Sequence, residues 1–242
     1  QAYRDGLAIR ERLAKADPGN AGWQRDLSVS RNKIGDVLVA QGNLPAALQA
    51  YRDGLAIAER LAQADPGNAG WQRDLSVSYD RVGDVLVAQG NLPAALQAYR
   101  DGLTIRERLA QADPGNAGWQ RDLSVSYDRV GDVLVAQGNL TAALQAYRDG
   151  LAIAERLAQA DPGNAKWQRD LAVSHAKLGL SLRRSGDVTG ALAAFRHGHS
   201  LLAAIVRIAP DHAGWRRDLA WFDAAIAALA DAAPDRPAAR RP

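Results

Sequence analysis

A tryptophan recurs every 48 residues along this chain, at Trp23, Trp71, Trp119, Trp167 and Trp215. A proline keeps the same interval at Pro18, Pro66, Pro114, Pro162 and Pro210. Residues 49–96 and 97–144 differ at three positions only: Ala56/Thr104, Ala58/Arg106 and Pro93/Thr141. A fixed period of this length describes an array of one supersecondary unit, each copy burying its apolar side on the next. It argues against a globule carrying scattered motifs. The near-identity of the copies fits either duplication or consensus design, and the divergent last copy favours duplication.

The unit holds two helical stretches. From about Asn68 to Gln89, apolar residues fall at Trp71, Leu75, Tyr79, Val82 and Leu86. Spacings of three and four put them on one helix face. Asn68 is placed to cap the start, and Gly90 stands where a left-handed residue ends a helix. A second helix is expected from Leu92 to Ala112, capped by Asn91, with Pro93 in its first turn, where a missing N–H costs nothing. Asp-Pro-Gly-Asn segments such as Asp65–Asn68 and Asp113–Asn116 are turn chemistry. Connections this short make neighbouring helices antiparallel. Composition agrees, since 47% of residues are apolar but only two are Phe, a mixture rich in Ala and Leu that favours helix over strand.

The run Val82-Gly83, Leu86, Gly90-Asn91-Leu92, Ala95-Leu96, Tyr99 and Gly102-Leu103 resembles the tetratricopeptide repeat. That family's repeat has about 34 residues. Here seven more follow Ile105 (Arg106 to Ala112) and seven more open the first helix (Ala117 to Leu123), which accounts for the longer period. Seven residues are almost two full turns, with a drift of only about 20°, so the buried face keeps its phase. The resemblance implies an all-α fold, a right-handed α-α superhelix of antiparallel helical hairpins with about ten helices. The solenoid is expected over 1–232, with a truncated first repeat at 1–16, a capping helix at 212–232 and a flexible Pro- and Arg-rich tail at 233–242. The lone first helix begins in mid-repeat and is expected to expose an apolar edge. The chain departs from the family at Gly6, Gly54, Gly102, Gly150 and Gly198, where Ala is usual. Their recurrence predicts a close helix approach, with Gly35, Gly83, Gly131 or Gly179 nearby.

Several functions are disfavoured. There is no Cys for disulfides or thiolate metal sites. No apolar run reaches the roughly 20 residues of a membrane span. The pI of 9.4 suggests nucleic acid, yet acidic and basic residues alternate along the chain with no basic stripe. His175, His197, His199 and His212 are too scattered for a zinc signature. They read as structural, with His175 and His199 at inward positions of one hairpin, where they can approach each other. No nucleophile–base arrangement or phosphate loop stands out. We therefore expect no enzyme, no cofactor and no metal, and neither nucleic acid nor membrane as partner. The tryptophans are expected to be buried, not to form a stacking platform.

In the resembled family the first helix of each hairpin, helix A, lines the concave face and meets ligands. The resemblance thus implies a groove with an acidic ladder (Asp36, Asp84, Asp132), a basic row (Lys33, Arg81, Arg129), the further acids Asp80 and Asp128, and a strip of Val and Ala. These charges are open to two readings: ligand recognition, or pairing within and between repeats. The Asn and Lys/Arg set that grips a C-terminal carboxylate in some relatives is absent. Lys177, Arg183 and Arg184 form a local basic cluster suited to an acidic peptide or a phosphate, or to a solvated helix C-terminus. The expected function is a protein-interaction scaffold binding a partner protein or peptide on the helix-A face. It is read as a piece of a larger multidomain protein, since the chain has no Met at all, and is expected to be bacterial-type and cytoplasmic. The alternative is a spacer, or an array that associates end to end.

Overall fold

Ten α-helices account for nearly all of residues 2–231, which are those described by the computed structural model; no strand occurs among them. They are α1 (Ala2–Ala16), α2 (Ala21–Ala40), α3 (Leu44–Ala64), α4 (Ala69–Ala88), α5 (Leu92–Ala112), α6 (Ala117–Ala136), α7 (Leu140–Ala160), α8 (Ala165–Arg184), α9 (Val188–Ile208) and α10 (Ala213–Asp231). The chain divides into two compact units, Gln1–Gln137 with α1 to α6 and Gly138–Pro242 with α7 to α10. Within each, every helix packs on the one before it. In the first unit the helices A also touch directly, α2 on α4. The tail expected at 233–242 lies outside the described residues.

Local chemistry sets the boundaries. Asn68 Oδ1 accepts from the Trp71 N–H at 3.1 Å, and Asn91 Oδ1 from the Ala94 N–H at 3.3 Å. Each cap satisfies an N–H that the first turn leaves without a partner. At the other end Gly90 takes φ of +76°, while the Asn91 N–H reaches the Leu86 carbonyl at 2.9 Å. This left-handed closure turns the chain into the next helix within three residues. At the longer turn, Asp65 Oδ1 accepts from the Gly67 N–H at 3.1 Å, and Gln72 Nε2 donates to the Ala62 carbonyl at 3.0 Å, tying the end of one hairpin to the start of the next. His212 stands where earlier copies carry Asn; its Nδ1 accepts from the Trp215 N–H at 3.1 Å, and its ring stacks on Trp215 at 4.0 Å.

The recurrent glycines make a close approach, but not to one another. A Cβ on Gly102 would lie 3.2 Å from the Ser76 carbonyl oxygen of α4, and one on Gly54 would lie 3.1 Å from the Ser28 carbonyl oxygen of α2. The helix-A glycines do something different: a Cβ on Gly83 would sit 2.6 Å from Tyr99 Cε1, so this glycine seats the tyrosine ring. One glycine admits a backbone and the other admits an aromatic, which is why both recur without meeting. Gly102→Leu is therefore expected to overpack the α4–α5 crossing and destabilise by about 1–3 kcal/mol. Chemical denaturation of the variant measures it, and an unchanged midpoint would refute the packing.

The five periodic tryptophans, expected to be buried, are half-buried. Trp119 packs on Ile105 and Leu109, but its outer edge lines a cleft of about 350 Å³ with Pro66 and Gly67 of the preceding turn. Trp71 lines the matching cleft beside Pro18 and Gly19. The helix-A extension carries each Trp beyond the packed crossing, so one edge stays wet. Ile9 and Leu13 on α1 are 50% and 37% exposed. In the second unit Phe195, Leu202, Ile205, Phe222 and Leu229 form the core.

Candidate functional site

Across the first unit, the charged rows of helix A are held by the repeats themselves. Tyr51 donates its hydroxyl proton to Asp36 Oδ1 at 2.8 Å, and Tyr99 donates to Asp84 Oδ1 at 2.7 Å. Asp36 then pairs with Arg81 of the next helix A at 3.4 Å and with Lys33 at 3.7 Å. Asp84 pairs with Arg129 of the next helix A, whose guanidinium lies 5.6 Å from the Tyr99 ring centroid. Burial, and then the hydrogen bond to Asp36 or Asp84, push the Tyr51 and Tyr99 hydroxyls well up. They remain donors. Burial alone would lower Arg129, yet Asp80 and Asp84 hold it above its ordinary value. The ladder is thus a Tyr–Asp–Arg relay from each hairpin to the next. Asp132 is exposed on α6.

Asp80 and Asp128 correct the expected groove. Both are buried, at 9% and 8% exposure, and so belong to the interior. Asp80 receives two hydrogen bonds from Arg106, Nη1 to Oδ1 at 3.1 Å and Nη2 to Oδ2 at 2.7 Å. Arg106 Nη1 also donates to Ser126 Oγ at 2.6 Å. Arg106, itself 5% exposed, was missed as a functional residue. Its signal was available, because it is one of three differences between near-identical copies and brings a charge where the flanking copies have Ala58 and Ala154.

Where Ala58 stands instead, the space stays empty. A cavity of about 180 Å³ opens between α2, α3 and α4, lined by Asn32, Ala58, Trp71 and Ser78 within and by Lys33 and Arg81. Asn32 Oδ1 is buried there without a hydrogen-bond partner. Its Nδ2 makes a long contact of 3.4 Å to Ser78 Oγ. On the same helices, Val29, at the cavity, and Val39 and Val87, further along, are exposed at 43%, 39% and 39%.

In the second unit the basic residues are not used alike. The Lys177 ammonium lies 5.9 Å from the Tyr147 ring centroid. Arg183 and Arg184 are exposed in the last turn of α8, where the helix dipole favours cations. His175 meets His197, ring centroids 5.4 Å apart, and not His199 as expected. His199 instead pairs with Asp223 at 3.0 Å. No group of three metal-ligating side chains occurs among the described residues, and none of their helices is long and apolar enough to cross a membrane.

Helical hairpins in register, helices A side by side and a Tyr-based packing position define a tetratricopeptide-type array. The tetratricopeptide repeat model matches residues 27–66, 76–114 and 124–162, and the chain belongs to that family as an elongated 48-residue variant. Among solved structures, BtubC (BKLC) from P. vanneervenii aligns over 100% of this chain and 93% of its own, with 15% identity and a TM-score of 0.62. RapI in its apo form covers 96% of this chain and 60% of its own, with 12% identity and a TM-score of 0.64. A putative kinesin light chain from Podosopora anserina, described by its nearly identical TPR-like repeats, covers 84% and 88%, with 16% identity and a TM-score of 0.60. These likenesses show the fold. No curated protein matches the chain. Tetratricopeptide folds are in general protein-interaction scaffolds, not enzymes.

Proposed function

We propose that this chain is a scaffold that receives a partner protein or peptide along the helix-A face of Gln1–Gln137. One observation carries the reading: the charges of that face are already paired, and what remains unsatisfied is apolar or neutral. Asp36, Arg81, Asp84 and Arg129 serve one another, leaving the exposed Val29, Val39 and Val87 and the unpartnered Asn32 Oδ1. A strongly charged peptide would have to break the Tyr–Asp–Arg relay to bind. A partner with apolar side chains and neutral donors would not.

Affinity capture with two double variants tests this. Val29→Glu with Val87→Glu is expected to abolish capture, while Arg183→Glu with Arg184→Glu leaves it intact. The opposite pattern would move the site to the basic end of α8 and overturn the proposal. A second reading, end-to-end association, is supported by the near-identity of the repeats, since any unit can stack on any other in a heterologous contact that does not close. Light scattering across concentration decides it: a monomer throughout removes self-association.

A further inference from the structure

Two positions on successive hairpins answer to one another across the cavity and its filled counterpart. On the filled side, Arg106 spans from Asp80 on α4 to Ser126 on α6. One repeat earlier the same three positions are Ala58, Asn32 and Ser78. The serines are disposed alike: Ser126 Oγ donates to the Asp122 carbonyl at 3.0 Å, Ser78 Oγ to the Asp74 carbonyl at 3.1 Å. Each hydroxyl therefore turns lone pairs toward the space between the helices. In one repeat an arginine uses them. In the other only Asn32 Nδ2 reaches the hydroxyl, at a long 3.4 Å, and Asn32 Oδ1 stays without a donor. Gly54 helps to make this room, since a Cβ there would lie 2.9 Å from Asn32 Oδ1.

The walls ask for a planar N–H donor, and the charges select which kind. Asp80 supplies the counter-charge for Arg106, but Asn32 supplies none. The carboxylates at the rim are engaged, Asp36 by Tyr51, Lys33 and Arg81, and Asp74 by Arg25 at 2.5 Å. An incoming guanidinium would be desolvated without a counter-ion, which is strongly unfavourable. A carboxamide brings N–H donors of similar geometry and no charge. A cavity of 180 Å³ is far larger than one water needs and leaves room for a side chain of this length.

We infer that the cavity between α2, α3 and α4 is a specificity pocket for a neutral carboxamide, a glutamine side chain of the partner, whose NH2 donates to Asn32 Oδ1 and Ser78 Oγ. This rests on the reading that the helix-A face receives a protein. The pocket is the vacant form of a site that the next repeat fills from within.

The probes are N-acetyl-glutamine methylamide and N-acetyl-arginine methylamide, titrated against the full chain and followed by NMR at Asn32 and Ser78. Saturable shifts are expected with the glutamine probe, at about tenfold lower concentration than with the arginine probe. Asn32→Asp alone is expected to reverse the preference. Asn32→Asp with Ala58→Arg rebuilds the residue set of the next repeat, keeps the fold and abolishes both responses. Asp80→Asn with Arg106→Ala opens a second pocket and raises the stoichiometry from one site to two. Absence of saturable binding, or binding that survives Ala58→Arg with Asn32→Asp, overturns the pocket. Arginine preferred by the unmodified chain overturns the carboxamide assignment. If the probes fail while Val29→Glu with Val87→Glu still abolishes capture, only the pocket is wrong; if probe binding behaves as expected and capture is unaffected, the partner-binding face is wrong instead.

Discussion

Asp80→Ala is expected to cost about 3–5 kcal/mol of stability, because it strands the Arg106 guanidinium in the interior with no counter-charge. Arg106 is 5% exposed, and its remaining hydrogen bond to Ser126 cannot replace a bidentate carboxylate. Arg106→Ala should cost less, since Asp80 keeps Arg129 Nε at 3.7 Å. The decisive variant is the pair. Asp80→Asn with Arg106→Ala reproduces the Asn32 and Ala58 combination that the chain already tolerates one repeat earlier, so it should recover most of the loss, to within about 1 kcal/mol of the parent. Urea denaturation of the three variants measures the cycle. Additive losses would mean that the two charges do not act as a pair. The surface ladder makes a useful contrast: Arg25–Asp74 and Arg73–Asp122 join successive helices A at 2.5 and 2.7 Å, but their arginines are 49% and 52% exposed. Each such pair is worth about 0–1 kcal/mol. Stability here is set by the buried Arg106–Asp80 pair more than by the repeated exposed ones.

Helix ends were legible because the residues that make them act locally. Asn68, Asn91 and Gly90 each do in the structure what their residue type does in isolation, and the seven-residue extensions kept phase. The face of each charged side chain was not legible. Asp80 and Asp84 lie one turn apart on α4, and periodicity puts both on one side; whether a carboxylate is exposed or buried depends on what the neighbouring helix offers. Tyr99 meets Asp84 at the surface, whereas Arg106 draws Asp80 inward. Only a comparison of differing copies could have shown that Arg106 needed an acid. The histidine pairing failed for a related reason. His199 stands at an inward position where the preceding copy carries Leu151, yet the hairpin partner of position 175 is position 197. The chain carries that signal in its first copy, where Arg31 and Asp53, at the same two positions, form an ion pair at 3.5 Å.

That position governs the second large effect. His175 is buried, 8% exposed, with Nδ1 unpartnered and His197 beside it. Burial first, and then the neighbouring His197, lower its pKa from 6.5 to about 4. In the unfolded chain the same imidazole takes its proton near the ordinary value, so between these limits the unfolded state binds more protons. Stability from the neutral ring is therefore complete above about pH 6.5 and is lost as the pH falls toward 4, to a limit of about 3 kcal/mol for the cited shift. The earlier copies carry Tyr79 and Tyr127 here, donating to Glu59 at 2.9 Å and Glu107 at 2.8 Å. Glu155 occupies the matching place and borders the same cleft as His175. His175→Tyr is thus expected to gain a partner and to flatten the acid limb. Urea midpoints of parent and variant, compared at pH 7, 5.5 and 4, isolate this residue from the carboxylates common to both. Parallel curves would show that the imidazole charges in place, and that the interior of this hairpin admits water.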